Sequence, residues 1–202
     1  MDSFIPSTPV PRRMIEYFTS FLATRQRAVA DARRDTAHFN VSVQHAVEVN
    51  RIIDGYGTSS RRRILKDVCT RMKPDLISYS AYDSTIVDQG GWGATQADWV
   101  TATTEAFTRA LRTIKSVGVP FYIGEFGYPE NEAEFDFTPP RDVAEMVRVT
   151  YEIALAQGAT HFIFWECFDN EPSIPYTYRG YWLRRPDGSL SYTGAELQAL
   201  NA

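Results

Sequence analysis

Glu125 closes the apolar run Pro120-Phe121-Tyr122-Ile123-Gly124-Glu125 and stands just before Phe126-Gly127. A carboxylate at the carboxyl end of a strand sits where parallel α/β folds place their reactive groups. Such a glutamate can attack the anomeric carbon of a sugar if a second carboxyl group about 5 Å away protonates the leaving oxygen. Alternation puts Phe121, Ile123 and Glu125 on one face, and Gly124 permits close approach of a neighbouring backbone or ligand. The plainer reading is a strand-end glutamate held in a salt bridge.

Other strand ends carry matching residue types. Trp165 ends Thr160-His161-Phe162-Ile163-Phe164-Trp165 and leads into Glu166-Cys167-Phe168-Asp169-Asn170. An indole plane on such a rim suits the apolar face of a pyranose ring. Tyr82 ends Asp75–Tyr82, where its hydroxyl could donate to an ionised carboxylate and orient it. Glu48 is the one carboxylate on the polar parity of the first strand, and Asn50 follows on the same parity. Glu48 is a candidate proton donor or sugar contact; its plainer role is a structural carboxylate paired with an arginine such as Arg51. Trp92, in Gly90-Gly91-Trp92-Gly93, is a further candidate sugar contact. His45 shares the valine parity and reads as a packed histidine. His161 shares the parity of Trp165 but lies low on its strand, so a structural role is expected. Glu166 falls on the opposite parity and is expected to point outward.

The elements that must position these residues follow from periodicity. A proline-bearing opening, with Pro6, Pro9 and Pro11, precedes a helix expected over 12–35, where Met14, Ile15, Phe18, Phe21, Leu22 and Val29 recur at helical spacing. Residues 39–50 alternate as a strand. A helix through about 72, a strand over 75–82, a helix over 97–117 ended by Gly118, and a strand over 120–125 follow. A helix over 142–157, a strand over 160–165, a turn at Pro186-Asp187-Gly188 and a short helix from 193 complete the chain. Helices between short strands require parallel pairing through crossover connections, so the class is α/β. The polar parity Ser42, Gln44, Ala46, Glu48, Asn50 suits a barrel lumen better than an open sheet buried on both faces. A full eight-fold barrel takes about 250 residues; the 202 residues here hold four strands, so one half-barrel domain over 1–202 is expected.

Composition narrows the partners. The chain is 44% hydrophobic, which provides ample core material, and its net charge of −4 argues against a phosphate-rich nucleic acid. The charge is uneven: residues 1–71 carry 12 basic and 7 acidic groups (+5), and residues 72–202 carry 9 and 18 (−9). Glu130, Glu132, Glu134 and Asp136 read as a solvated acidic loop. No apolar run is long enough to span a membrane, and no basic-then-apolar leader opens the chain, so the cytoplasm is the default compartment. Cys69 and Cys167 form neither a disulfide framework nor a metal-site spacing; no metal and no cofactor are expected. A nucleotide-binding sheet would need a glycine-rich phosphate loop after a strand, and none is present.

Ser-Tyr-Ser-Ala-Tyr-Asp at 78–83, Ile-Gly-Glu-Phe-Gly at 123–127 and Phe-Ile-Phe-Trp-Glu at 162–166 together resemble the sixth, seventh and eighth strands of retaining glycoside hydrolases of the cellulase-like clan A, which are (β/α)8 barrels. The likeness covers most of residues 38–170. It implies a partial TIM barrel of about four βα units corresponding to strands five to eight. By position, Glu125 resembles the strand-seven nucleophile, Tyr82 the tyrosine that contacts it, and Trp165 the tryptophan flooring the first sugar subsite. Relatives often carry His-x-Tyr on strand six; Ser80-Ala81-Tyr82 departs from that pattern. The family's acid/base glutamate follows an asparagine at the end of strand four, and no Asn-Glu pair precedes the first strand here. The resemblance therefore implies a hydrolase of β-glycosidic bonds with a retaining mechanism, weak or inactive on its own. The alternative is a non-catalytic module that binds carbohydrate through Trp165, Trp92 and Tyr82 or serves in assembly. Exposed sheet edges lead to the expectation of a homodimer or higher oligomer that closes the barrel.

Overall fold

Ile15 and Leu22 are buried one helical stripe apart on α1 (Arg12–Asp35), with Phe18 partly buried between them. Pro11 supplies a proline-compatible start, and Arg33 and Arg34 in the last turn oppose the negative end of the helix dipole. Met14, Tyr17 and Phe21 form a second apolar stripe on the same helix, and that stripe is exposed. The structure, a computed structural model, describes residues 11–53, 64–85, 96–130, 140–170, 172–174 and 177–202.

After a short 3₁₀ turn (Ala37–Phe39), β1 spans only Ala46–Val49. The alternation over 39–45 does not become strand, and Val41 and Val43 are exposed. The cause is the partner: β2 (Leu76–Ser80) begins opposite Ala46, so residues before 46 have no ladder to join. Asp75, one residue ahead of β2, takes the His45 N–H at 2.9 Å and the Arg33 guanidinium at 2.5 Å. A π-helical stretch (Ile64–Cys69) running into α2 (Thr70–Met72) makes the first crossover. At its far end β2 stops at Ser80, and Tyr82 opens the short α3 (Tyr82–Thr85) rather than closing the strand. The Asp83 carboxylate accepts from the Tyr79 hydroxyl (2.7 Å) and the Ile53 N–H (2.8 Å), which ties the segment after β1 to β2.

The remaining units match their periodicity closely. Helix α4 (Gln96–Ser116) buries Trp99, Phe107, Leu111 and Ile114, and Gly118 turns the chain at φ +73° into β3 (Phe121–Phe126). Helix α5 (Pro140–Gln157) ends at Gly158 (φ +84°) and leads to β4 (Phe162–Phe164). Two short strands, β5 (Pro172–Ile174) and β6 (Thr177–Tyr178), pair antiparallel. Helix α6 (Tyr192–Leu200), capped by Ser191 Oγ accepting the Gly194 N–H at 2.8 Å, packs on α5.

The main sheet is all-parallel in the order β1-β2-β3-β4. One face is core: Val47, Val49, Ile77, Tyr79, Phe121 and Ile123 are buried under the helices. Each such aliphatic or aromatic side chain contributes about 1.5–3 kcal/mol. The opposite face is open: Glu48 and His161 are exposed, and Ser78 and Tyr122 are partly so. A four-stranded parallel sheet with helices between its strands and one uncovered face is the α/β half-barrel arrangement expected from the polar parity of β1.

Candidate active site

Strand β3 carries one residue more than its neighbours. Tyr79 pairs with Ile123 but Ser80 pairs with Glu125, and on the other side Ile123 and Phe126 pair with Phe162 and Phe164. Gly124 is the extra residue, a β-bulge. Simple alternation groups Glu125 with the buried Phe121 and Ile123; the bulge reverses that. It shifts Glu125 onto the open face and returns Phe126 to the core, where its ring lies 3.9 Å from Phe162 and 5.3 Å from Phe164. A Cβ at 124 would lie 1.9 Å from Ser78 Oγ and 3.2 Å from Ser78 Cβ, so a larger residue there displaces the Ser78 side chain.

On the open face, Ser80 Oγ donates to Glu125 Oε2 at 2.8 Å. The Ala81 N–H donates to the Glu125 carbonyl at 2.8 Å, fixing the backbone beneath the carboxylate. Ser80 thus supplies a hydrogen bond to this carboxylate. The Tyr82 ring meets the edge of Tyr181 at 6.5 Å. Trp165, just past β4, is 37% exposed; its N–H donates to the Phe126 carbonyl at 2.7 Å, and its peptide to Glu166 is cis. Glu125 and Trp165 therefore stand on adjacent strand ends.

The C-terminal segment shapes this rim. A Cβ at Gly127 would meet the Trp165 carbonyl oxygen at 2.3 Å and the Tyr181 ring at 2.9 Å, so these three residues are in close packing. Asp169 holds Tyr181 in place by accepting the N–H groups of Gly180 and Tyr181. Glu166 is half-buried, and its Oε1 accepts from the Asn170 N–H at 3.2 Å. Glu130 is 7% exposed rather than part of a solvated acidic loop. Its carboxylate accepts from Trp182 Nε1 (3.2 Å), the Arg185 guanidinium (3.2 Å) and the Thr193 N–H (2.9 Å). One buried acid thus joins the segment after β3 to the C-terminal segment. Its neighbour Tyr128 is fully buried with its hydroxyl 3.0 Å from Thr150 Oγ1, and burial pushes that phenol well above its ordinary range.

The other candidate residues are less closely gathered. Glu48 is exposed on the open face but sits on β1, two strands from β3 and opposite Ser78 rather than Ser80. Two strand spacings are about 10 Å, wider than the about 5 Å of a retaining carboxylate pair. Asn50, one residue past β1, is half-buried, and its Oδ1 has no hydrogen-bond partner among the described residues. Trp92 lies outside the described residues. His45 is 3% exposed below the sheet, with Nδ1 2.9 Å from Gln26 Oε1; burial and nearby Arg25 hold its imidazole below the usual range, against the opposing pull of Asp75. His161 stands on the open face against the Tyr122 ring.

Two contributors escaped sequence reasoning. The bulge that brings Ser80 to Glu125 is signalled only by a glycine just ahead of the glutamate. Tyr181 lies in a segment without periodicity. Among the described residues no group of three His, Cys, Asp or Glu side chains could hold a metal ion, and no helix is long and apolar enough to cross a membrane. No protein-family model matches the chain, and no curated protein does.

Proposed function

We propose that this chain carries the nucleophile side of a retaining β-glycoside hydrolase, as its three strand-end motifs suggest. The observation that carries the reading is the Gly124 bulge, which turns Glu125 onto the open face within 2.8 Å of Ser80, with Trp165 just past the end of the adjacent strand. In this reading the sugar lies on the Trp165 indole. Glu125 attacks the anomeric carbon, the bond to the leaving oxygen breaks with its electron pair on that oxygen, and water later hydrolyses the glycosyl ester. With Glu48 two strands from Glu125, too far to serve as its proton donor in this reading, natural leaving groups depart slowly. Dinitrophenyl leaving groups need no protonation.

The test uses a 2,4-dinitrophenyl 2-deoxy-2-fluoro-β-glycoside and intact-mass analysis. The expected result is one glycosyl adduct, mapped to Glu125 and lost in Glu125→Gln. Absence of an adduct across glucosyl, mannosyl and xylosyl probes, or an adduct that persists in the variant, overturns the reading. The exposed Trp165 supports a second reading, a carbohydrate-binding module without turnover. That outcome would appear as oligosaccharide-dependent quenching of tryptophan fluorescence with no adduct formed.

A further inference from the structure

We propose that Tyr181 is a positioning residue for the Ser80–Glu125 pair: its ring bridges the chain just beyond β2 and just beyond β3 and keeps the two residues in register past the bulge. The bulge creates the need. Tyr79 pairs with Ile123, Gly124 interrupts, and Ser80 then pairs with Glu125. Past that interruption β2 ends at Ser80 and β3 at Phe126. The 2.8 Å bond from the Ala81 N–H to the Glu125 carbonyl belongs to this last step. A bulge disrupts the ladder locally, and element ends open more readily than their middles. The carboxylate thus stands on the step of the β2–β3 pair that the ladder supports least.

Tyr181 supplies support from outside the sheet. Tyr82, two residues past Ser80, meets the Tyr181 ring edge to face at 6.5 Å. Gly127, two residues past Glu125, lies against the same ring, since a Cβ there would be 2.9 Å from one ring carbon and 3.3 Å from the next. The backbone that carries the ring is fixed separately. The N–H groups of Gly180 and Tyr181 donate to the Asp169 carboxylate. The Gly180 carbonyl accepts from the Glu130 N–H at 3.0 Å, and the Tyr181 carbonyl accepts from the Glu166 N–H at 3.3 Å. All four backbone polar groups of this dipeptide are satisfied, by residues that follow β3 and β4. From that mount the ring reaches the residue pair that follows β2, so one side chain ties three strand ends together. A rigid ring packed between Tyr82 and Gly127 limits how far the two segments move relative to each other. Its effect on chemistry passes through Glu125 and rests on the reading of Glu125 as the nucleophile; the packing does not.

Residue-resolved hydrogen exchange by nuclear magnetic resonance tests the packing in Tyr181→Ala, Tyr181→Leu and Tyr181→Phe. The Ala81 amide is expected to exchange about tenfold faster or more in the Ala and Leu variants and to return to the wild-type rate in Tyr181→Phe, which keeps the ring. The Ile77 and Ile123 amides, bonded to the Pro120 and His161 carbonyls before the bulge, are expected to hold their rates. An unchanged Ala81 amide, or equal acceleration at all three, overturns the proposal whether or not the chain reacts with a glycoside. Labelling by the dinitrophenyl 2-fluoro probe tests the effect on Glu125. In Tyr181→Ala the maximal labelling rate is expected to fall about tenfold, with the half-saturating probe concentration within about twofold and recovery in Tyr181→Phe. A weaker half-saturation at an unchanged maximal rate would make Tyr181 a sugar contact and overturn the positioning role. A wild type that takes no label overturns the nucleophile reading alone, and the exchange rates then decide the place of Tyr181.

Discussion

Ser80 and Glu125 lie opposite each other on β2 and β3, and a 2.8 Å hydrogen bond joins Ser80 Oγ to Glu125 Oε2. The bond limits the carboxylate's rotation at the open face. Ser80→Ala is expected to cost about 1 kcal/mol of stability and to slow adduct formation with the dinitrophenyl probe about five- to tenfold. Labelling rates unchanged in the variant would show that Ser80 does not orient Glu125.

Gly124→Ala tests the bulge itself. The added methyl meets Ser78 Oγ, so the variant is expected to lose about 1–3 kcal/mol in urea denaturation. Ser78→Ala in the same chain removes that oxygen and leaves a tight contact with Ser78 Cβ at 3.2 Å. Partial recovery in the double variant, read as a coupling energy, is the expected outcome; full additivity would place the strain elsewhere.

Glu130→Ala should be among the most damaging single changes. It strips three donors of their shared acceptor and leaves the Arg185 guanidinium, 30% exposed, without its ion pair. A loss of about 3 kcal/mol is expected. Limited proteolysis should then open the C-terminal segment before the sheet, and simultaneous loss of both would show that Glu130 is not its particular anchor.

Acid should weaken the fold in two stages at the foot of β1. His45 is held neutral below its usual 6.5, so the unfolded chain takes up a proton first as pH falls. Its contribution is complete above 6.5 and declines below that value. At Asp75 burial pushes the pKa up, but the His45 N–H and the Arg33 guanidinium outweigh it and hold the carboxyl below its usual 3.8. That contribution is present above 3.8 and is lost as pH falls through the depressed value. Melting temperature against pH is expected to be level above about 7 and to fall below 6.5. His45→Asn should flatten the first stage and leave the second; an unchanged profile would assign the first stage to other groups.

Most of the fold was legible because its signals are local. The apolar stripes of α1, α4 and α5, and the glycines at 118 and 158 that stop two of these helices, lie within single elements. The site was legible in its residues and less so in its geometry. Glu125 stood out by its place at a strand end, yet alternation grouped it with Phe121 and Ile123, which turn out to be buried, because a bulge is a relation between strands. The same limit explains β1. Valines at 41, 43, 47 and 49 read alike in sequence, and only the start of β2 separates the paired two from the exposed two. Glu130 looked like its acidic neighbours because its three donors come from residues 52 to 63 positions away.

The close stacking of Gly127, the Trp165 backbone and the Tyr181 ring gives the C-terminal segment a part in tuning the rim. It acts as a shim against the Trp165 backbone. Changes made far along the chain, at Asp169 or at Tyr181, would shift the backbone at Trp165 without altering any strand of the parallel sheet, so the end of β4 can be re-set from the tail while the scaffold stays as it is.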